Sequence, residues 1–285
     1  MSSLQHSAAT DVGLKRTNNE DTILSNPRAG LWLVADGMGG HAAGEVASAI
    51  VAETIEQQIS CGATLEQAIR QAHRAVIDAA DAGRGGPGMG STVVALHSQG
   101  TSYEIAWVGD SRAYLWQPRG KLNALVGGDT VVDDGAEQLY GELIQLTTDH
   151  SYVQMLFDTG AISADEMHKH PDKNIITQCL GSVDIDAVAV DVCRMKWYPD
   201  DCILLCSDGL SDAVSDEQIQ QVLQDKGDVQ SATQALIALA LEQGGADNIS
   251  VTLISNPKPE GDGVQRLKIW WQHCCDKMAK YLGNL

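Results

Sequence analysis

Five short acidic clusters hold the residue types best able to do chemistry in this chain: Asn19-Glu20-Asp21, Asp36-Gly37-Met38-Gly39-Gly40-His41, Gly109-Asp110-Ser111-Arg112, Ser207-Asp208-Gly209 and Asp247-Asn248. Most of them border an apolar, strand-like run. Residues 31–35 lead into Asp36, 105–108 into Asp110 and 202–206 into Asp208, while 249–253 follow Asn248. A carboxylate at the end of a buried strand is costly unless something neutralises it. Several such ends meeting at one place would make a site for hard divalent cations, which prefer oxygen ligands.

Positioning carboxylates from so many segments needs a real core, and 44% hydrophobic residues in 285 supply one. The formal net charge of −19 argues against binding nucleic acid through phosphate contacts, which needs clustered Lys and Arg. The seven cysteines show no zinc-site spacing and read as reduced thiols. Residues 1–10 contain no apolar core of a signal peptide, and no run is long enough to span a bilayer. A cytoplasmic protein is expected.

The elements that would carry the clusters can be read coarsely. Apolar spacing predicts helices over 42–60 and 64–81, the second capped by Thr64. Strands are expected at 91–96, 103–108, 112–116, 143–146, 187–193, 201–206 and 248–254, with helices at 152–157, 216–224 and 230–243. Short, turn-linked strands favour antiparallel pairing, and strands near both ends with helices between them suggest one α+β domain closed by distant strands. Residues 126–140 read as an inserted loop.

At its motifs the chain resembles the metal-dependent protein serine/threonine phosphatases of the PP2C family, bacterial stand-alone type. The resemblance rests on Arg16-Thr17-Asn18-Asn19-Glu20-Asp21, residues 34–41, Gly90-Ser91-Thr92, Val108-Gly109-Asp110-Ser111-Arg112, Thr148-Asp149-His150-Ser151, residues 206–212 and Gly245-Ala246-Asp247-Asn248, in the family's order. It implies a four-layer α/β/β/α sandwich of two antiparallel sheets flanked by helices, here over residues 1–256. It also implies two Mn²⁺ or Mg²⁺ ions, with a third, weaker ion. Asp36 would bridge the core pair and the Gly37 carbonyl would add a ligand. Asp208 and Asp247 would hold the first ion and Glu20 the second, with Asp21 nearby through water. Asp110 would serve the third ion. A hydroxide bridging the ions would attack phosphorus directly, Arg16 would grip the substrate phosphate, and His41 would be the candidate acid. The implied substrates are phosphoserine and phosphothreonine proteins, with a cognate Ser/Thr kinase as the opposing enzyme. A monomer is expected. Alternatives are a partner-switching phosphatase for one small regulatory phosphoprotein and a non-catalytic phosphoprotein-binding module.

Each residue also has a plainer reading. Asp36, Asp208 and Asp247 could be turn formers, and Glu20 a solvated loop acid. Asp110 could pair with Arg112, Arg16 could sit in a surface ion pair, and His41 could be structural. Asp149 or Ser151 reads as a helix cap, and Gly90-Ser91-Thr92 as strand packing. Residues 155–173 correspond to the family's flap beside the active site. After a linker from 257, Val264, Leu267, Trp271, Cys274, Met278 and Tyr281 form an apolar stripe on a locally basic helix reaching 285. That helix would pack on its own domain or dock a partner or a membrane surface.

Overall fold

Apolar side chains alternate along the strands, and the two alternating sets bury against different layers. The computed structural model describes residues 4–39, 43–118, 141–167, 169–183 and 188–257. The chain runs β1 (Gln5–Asp11), β2 (Asp21–Asn26), β3 (Leu31–Met38), α1 (Ala43–Ser60), α2 (Leu65–Asp81), β4 (Gly90–Ser91), β5 (Val93–Gln99), β6 (Ser102–Val108) and β7 (Arg112–Gln117). It continues through β8 (Glu142–Gln145), α3 (Tyr152–Asp158), α4 (Ala164–Met167), β9 (Asp191–Lys196), β10 (Cys202–Cys206), α5 (Asp208–Ser211), α6 (Asp216–Asp225), α7 (Val229–Glu242) and β11 (Ile249–Ser255).

One sheet has the order β1-β11-β10-β7-β8 and the other β2-β3-β5-β6-β9, with β4 added beside β3. Neighbouring strands are antiparallel. Trp32, Val34, Leu96 and Ile105 from one sheet meet Leu115, Ile203 and Leu205 from the other. The alternate residues Leu31, Leu33 and Ala35 turn outward onto Val51 and Ile55 of α1 and Ile69 of α2. On the far side Leu204, Cys206 and Leu253 meet Ile219 and Leu223 of α6 and Leu236 of α7. The result is the expected four-layer α/β/β/α sandwich. Fully burying each such Leu or Ile contributes about 1.5–3 kcal/mol, which fixes register: a one-residue slip would exchange the two faces.

Most expected elements form within a residue or two, and Thr64 closes a capping box with Gln67 at the start of α2. Two strands were not expected. β1 is a half-exposed edge strand, and β2 carries few large apolar residues. The strand expected at 187–193 is displaced to Asp191–Lys196. The insert at 126–140 and the helix after the 257 linker lie outside the described residues. Among the described residues no helix is long and apolar enough to cross a membrane.

Candidate metal centre

β2 and β3 pair so that Asp21 lies opposite Asp36 at the strand end. Like charges directly opposite each other destabilise a sheet, so this pairing requires compensation. Asp36 is fixed through its own peptide groups: its N–H donates to Thr92 Oγ1 at 3.2 Å and its carbonyl accepts from Thr92 N at 2.8 Å. Gly37 comes next because nothing larger fits. A Cβ there would lie 2.0 Å from the Gly44 carbonyl oxygen and 2.6 Å from that of Glu20. The start of α1 therefore abuts the end of β3, and the Gly44 N–H points to the Glu20 carboxylate. Main-chain Glu20 is held from both sides: its carbonyl accepts from Gly37 N and Ser48 Oγ, and its N–H donates to Asn248 Oδ1.

The second sheet delivers the remaining acids. Asp208 opens α5 directly after β10, and Asp247 precedes β11. Gly209 packs against the Asn248 carbonyl oxygen, which a Cβ would approach to 1.9 Å. Asn248 joins the segments: besides holding Glu20 it donates from Nδ2 to the carbonyls of Val12 and Asn18, each at 2.9 Å. Ser207 Oγ donates to Asp21 Oδ2 at 2.8 Å and so bridges the two sheets. Asn248 and Ser207 were given no role at the sequence level, because their importance lies in bonds to segments far away in the chain.

The carboxylates sense one another. Burial drives the pKa of Asp36 well up, and Asp208, Asp21, Asp110 and Asp247 push it further. Burial likewise raises Asp208, helped by Asp110, Asp212 and Asp247. Asp21 and Asp110 are both pushed up to about 6, in each case chiefly by burial. Glu20 is raised by burial, with Arg16 pulling the other way. Asp21 Oδ1 and Asp208 Oδ1 are buried with no hydrogen-bond partner. Acceptors left unpaired in a nest of like charge call for cations, and an all-oxygen set suits Mn²⁺ or Mg²⁺. Among the described residues, no three Asp, Glu, His or Cys side chains close on a single point as a cage would.

Around this nest the remaining candidates fall as follows. Arg16, half exposed, donates from Nη2 to Asp247 Oδ2 at 2.7 Å. The ion-pair reading of Arg16 is thus realised, with a candidate ligand as its partner. Asp110 does not pair with Arg112. That guanidinium forks onto Asp149 at 2.7–3.0 Å and reaches Tyr114 Oη, because Asp149 faces it across the turn. Consequently Ser151 alone caps α3, accepting from Gln154 N. His41 lies outside the described residues. Asp212, which was overlooked, joins Asp110, Asp208, Asp149, Arg112 and Lys173 around a narrow cleft of about 40 Å³. It is four residues beyond Asp208 across one helical turn, a spacing that signals a shared face. Lys173 Nζ binds Asp212 Oδ2 at 2.7 Å.

Comparison with known proteins places these features in a wider setting. A family model described as protein phosphatase 2C matches residues 15–249. The serine/threonine protein phosphatase PstP of Mycobacterium tuberculosis is 36% identical over 256 residues, covering 88% of this chain. The chain spans only 44% of that relative's length. The serine/threonine phosphatase stp of Listeria monocytogenes is 33% identical over 258 residues, covering 86% of this chain and 93% of that protein. The crystal structure of M. tuberculosis PstP superposes with a TM-score of 0.74 at 36% identity, covering 89% of this chain and 99% of the other. The PstP catalytic domain in complex with two manganese ions gives a TM-score of 0.71 at 34% identity, covering 88% and 97%.

Proposed function

The chain belongs to the protein phosphatase 2C family, and on that premise we propose that it is a metal-dependent phosphatase removing phosphate from phosphoserine and phosphothreonine in proteins. The observation that carries this reading is the buried carboxylate nest drawn from both sheets, with two unpartnered acceptor oxygens and Arg16 at its rim. In this reading Asp36, the Gly37 carbonyl, Asp208, Asp247 and Glu20 hold two Mn²⁺ or Mg²⁺ ions, with Asp21 supporting and Asp110 serving a third, weaker one. Bound there, paired divalent ions supply an activated water and neutralise phosphate oxygens.

The side chains have complementary tasks. The carboxylates, drawn from both sheets, would offset the charge of the ions they hold. Arg16 exchanges Asp247 for two phosphate oxygens, a planar contact that Lys cannot reproduce. His41 is assigned the proton for the departing serine or threonine oxygen. The same proposal includes a cytoplasmic, monomeric enzyme that opposes a Ser/Thr kinase. Presence of Arg16, Glu20, Asp36, Asp208 and Asp247 together speaks against a silent binding module.

Hydrolysis of p-nitrophenyl phosphate and of a phosphothreonine peptide, with and without Mn²⁺, tests the reading. Both activities are expected to need the metal and to fall by several orders of magnitude in Asp36→Asn, while Asp110→Ala keeps most turnover of the small substrate. Absence of turnover with every divalent metal tried would remove the enzyme from consideration.

A further inference from the structure

Two sequence motifs, Gly90-Ser91-Thr92 and Asp149-His150-Ser151, take no direct part in the chemistry above, yet both converge on the turn that carries Asp110. Thr92 touches that turn and Asp36 at once. It brackets the Asp36 peptide through its own N–H and Oγ1, as described. The same hydroxyl lies 2.7 Å from Ser111 Oγ, one residue past Asp110. Its methyl side packs on Gly109, one residue before Asp110: a Cβ on Gly109, whose φ is +105°, would come within 2.6 Å of Thr92 Cβ and Cγ2. Thr92 and Ser111 are each 1% exposed, so water cannot replace the bond between them.

The outer side of the turn is gripped as firmly. His150 N donates to the Gly109 carbonyl at 2.9 Å, and Gly109 N donates to His150 Nδ1 at 3.1 Å. Because Nδ1 accepts, the ring proton of neutral His150 sits on Nε2, which faces Asp191 Oδ2 at 3.4 Å. Asp149 holds Arg112 on the other flank. The residues either side of Asp110 are therefore immobilised, and on the inner side the clamp is continuous with Asp36.

We propose that Thr92 is a positioning residue that couples the Asp110 turn to Asp36, so that divalent cations held by the two carboxylates bind cooperatively. This rests on the metal-centre reading and adds to it a residue that touches neither ion nor substrate. Outer hydrogen-bond partners of this kind orient ligands and tune affinity.

Mn²⁺ binding to the full chain, followed by the electron paramagnetic resonance of free Mn²⁺, tests the coupling, with Asp110→Ala as the reference lacking the weak class of sites. Thr92→Val keeps the shape and removes the hydroxyl; it is expected to weaken tight and weak classes together by about 10-fold. Thr92→Ser restores the hydroxyl and most of the affinity. Ser111→Ala leaves the Asp36 bonds in place and cuts the link to the Asp110 turn, so it is expected to lower the weak class and, by reciprocity, the tight class with it. Should Thr92→Val fail to fold, loss of affinity in both classes in Ser111→Ala still supports the coupling, and a loss confined to the weak class, or wild-type binding, overturns it. Wild-type affinity in Thr92→Val, or equal impairment in Thr92→Ser, also overturns it. A wild-type protein that binds no Mn²⁺ would instead overturn the metal-centre reading itself, and this coupling with it.

Discussion

Asp208 carries a buried carboxylate oxygen without a partner, and its neighbours Asp110, Asp212 and Asp247 all disfavour its charge. Such a side chain is retained for what it binds, at the expense of the empty fold. Asp208→Asn should therefore stabilise the protein in chelator by about 1 kcal/mol, or about 2–4 °C in a domain of this size, while abolishing the stabilisation by Mn²⁺. Thermal unfolding with and without Mn²⁺ checks both halves; a variant less stable in chelator would contradict the argument. At this scale much of the site was legible. Asp36 and Asp208 announce themselves as Asp-Gly pairs after apolar runs, and Asp247 as an acid before one. Thr92, Ser207 and Asn248 did not, because a hydroxyl or amide has no local pattern that reveals a partner 19 to 230 residues away.

Among the elements, the described residues of 155–174 are joined to the centre by the Lys173–Asp212 pair, whose side chains are 35% and 39% exposed. Met155, Phe157 and Ile175 leave their side chains partly in solvent along the same stretch. Few buried contacts mean a low local opening free energy. Lys173→Ala should accelerate amide hydrogen exchange across 155–175 and leave global stability within about 0.5 kcal/mol, as for other exposed ion pairs. High salt should reproduce the effect in the wild-type protein; unchanged exchange in the variant would show that the pair latches nothing. Legibility also differed by element. Helices α2, α6 and α7 carry their own periodicity and caps, so local sequence suffices. β1 is polar and at an edge, and only its partner β11 makes it a strand.

For the molecule as a whole, the buried acids set a pH dependence that metals reverse. Asp21 and Asp110 sit at about 6 in the folded protein, against about 3.9 in an unfolded chain. Between those values the folded state holds more protons. The contribution of these two groups to metal-free stability is therefore full below about pH 4 and is lost as pH rises through about 6. Divalent ions bind the ionised folded form and add about 2.7 kcal/mol at 100 times Kd. In chelator, then, Asp110→Asn should fall less in Tm than the wild type between pH 4.5 and 7. The gain from saturating Mn²⁺ should be larger at pH 7 than at pH 5. Parallel slopes in the two proteins would refute the assignment.

The pairing of the first and last described strands places one end of their ladder at the carboxylates and the other far from them. Gln5 lies opposite Ser255 at one end of the β1–β11 ladder, and Asp11 lies opposite Ile249 at the other, beside Asn248 and the carboxylates. A ladder of this length spans about 20 Å. Gln5 and Ser255 thus sit together at the pole away from the carboxylates. A segment joined at that end would therefore lie about 20 Å from the carboxylates and leave the mouth of the nest uncovered.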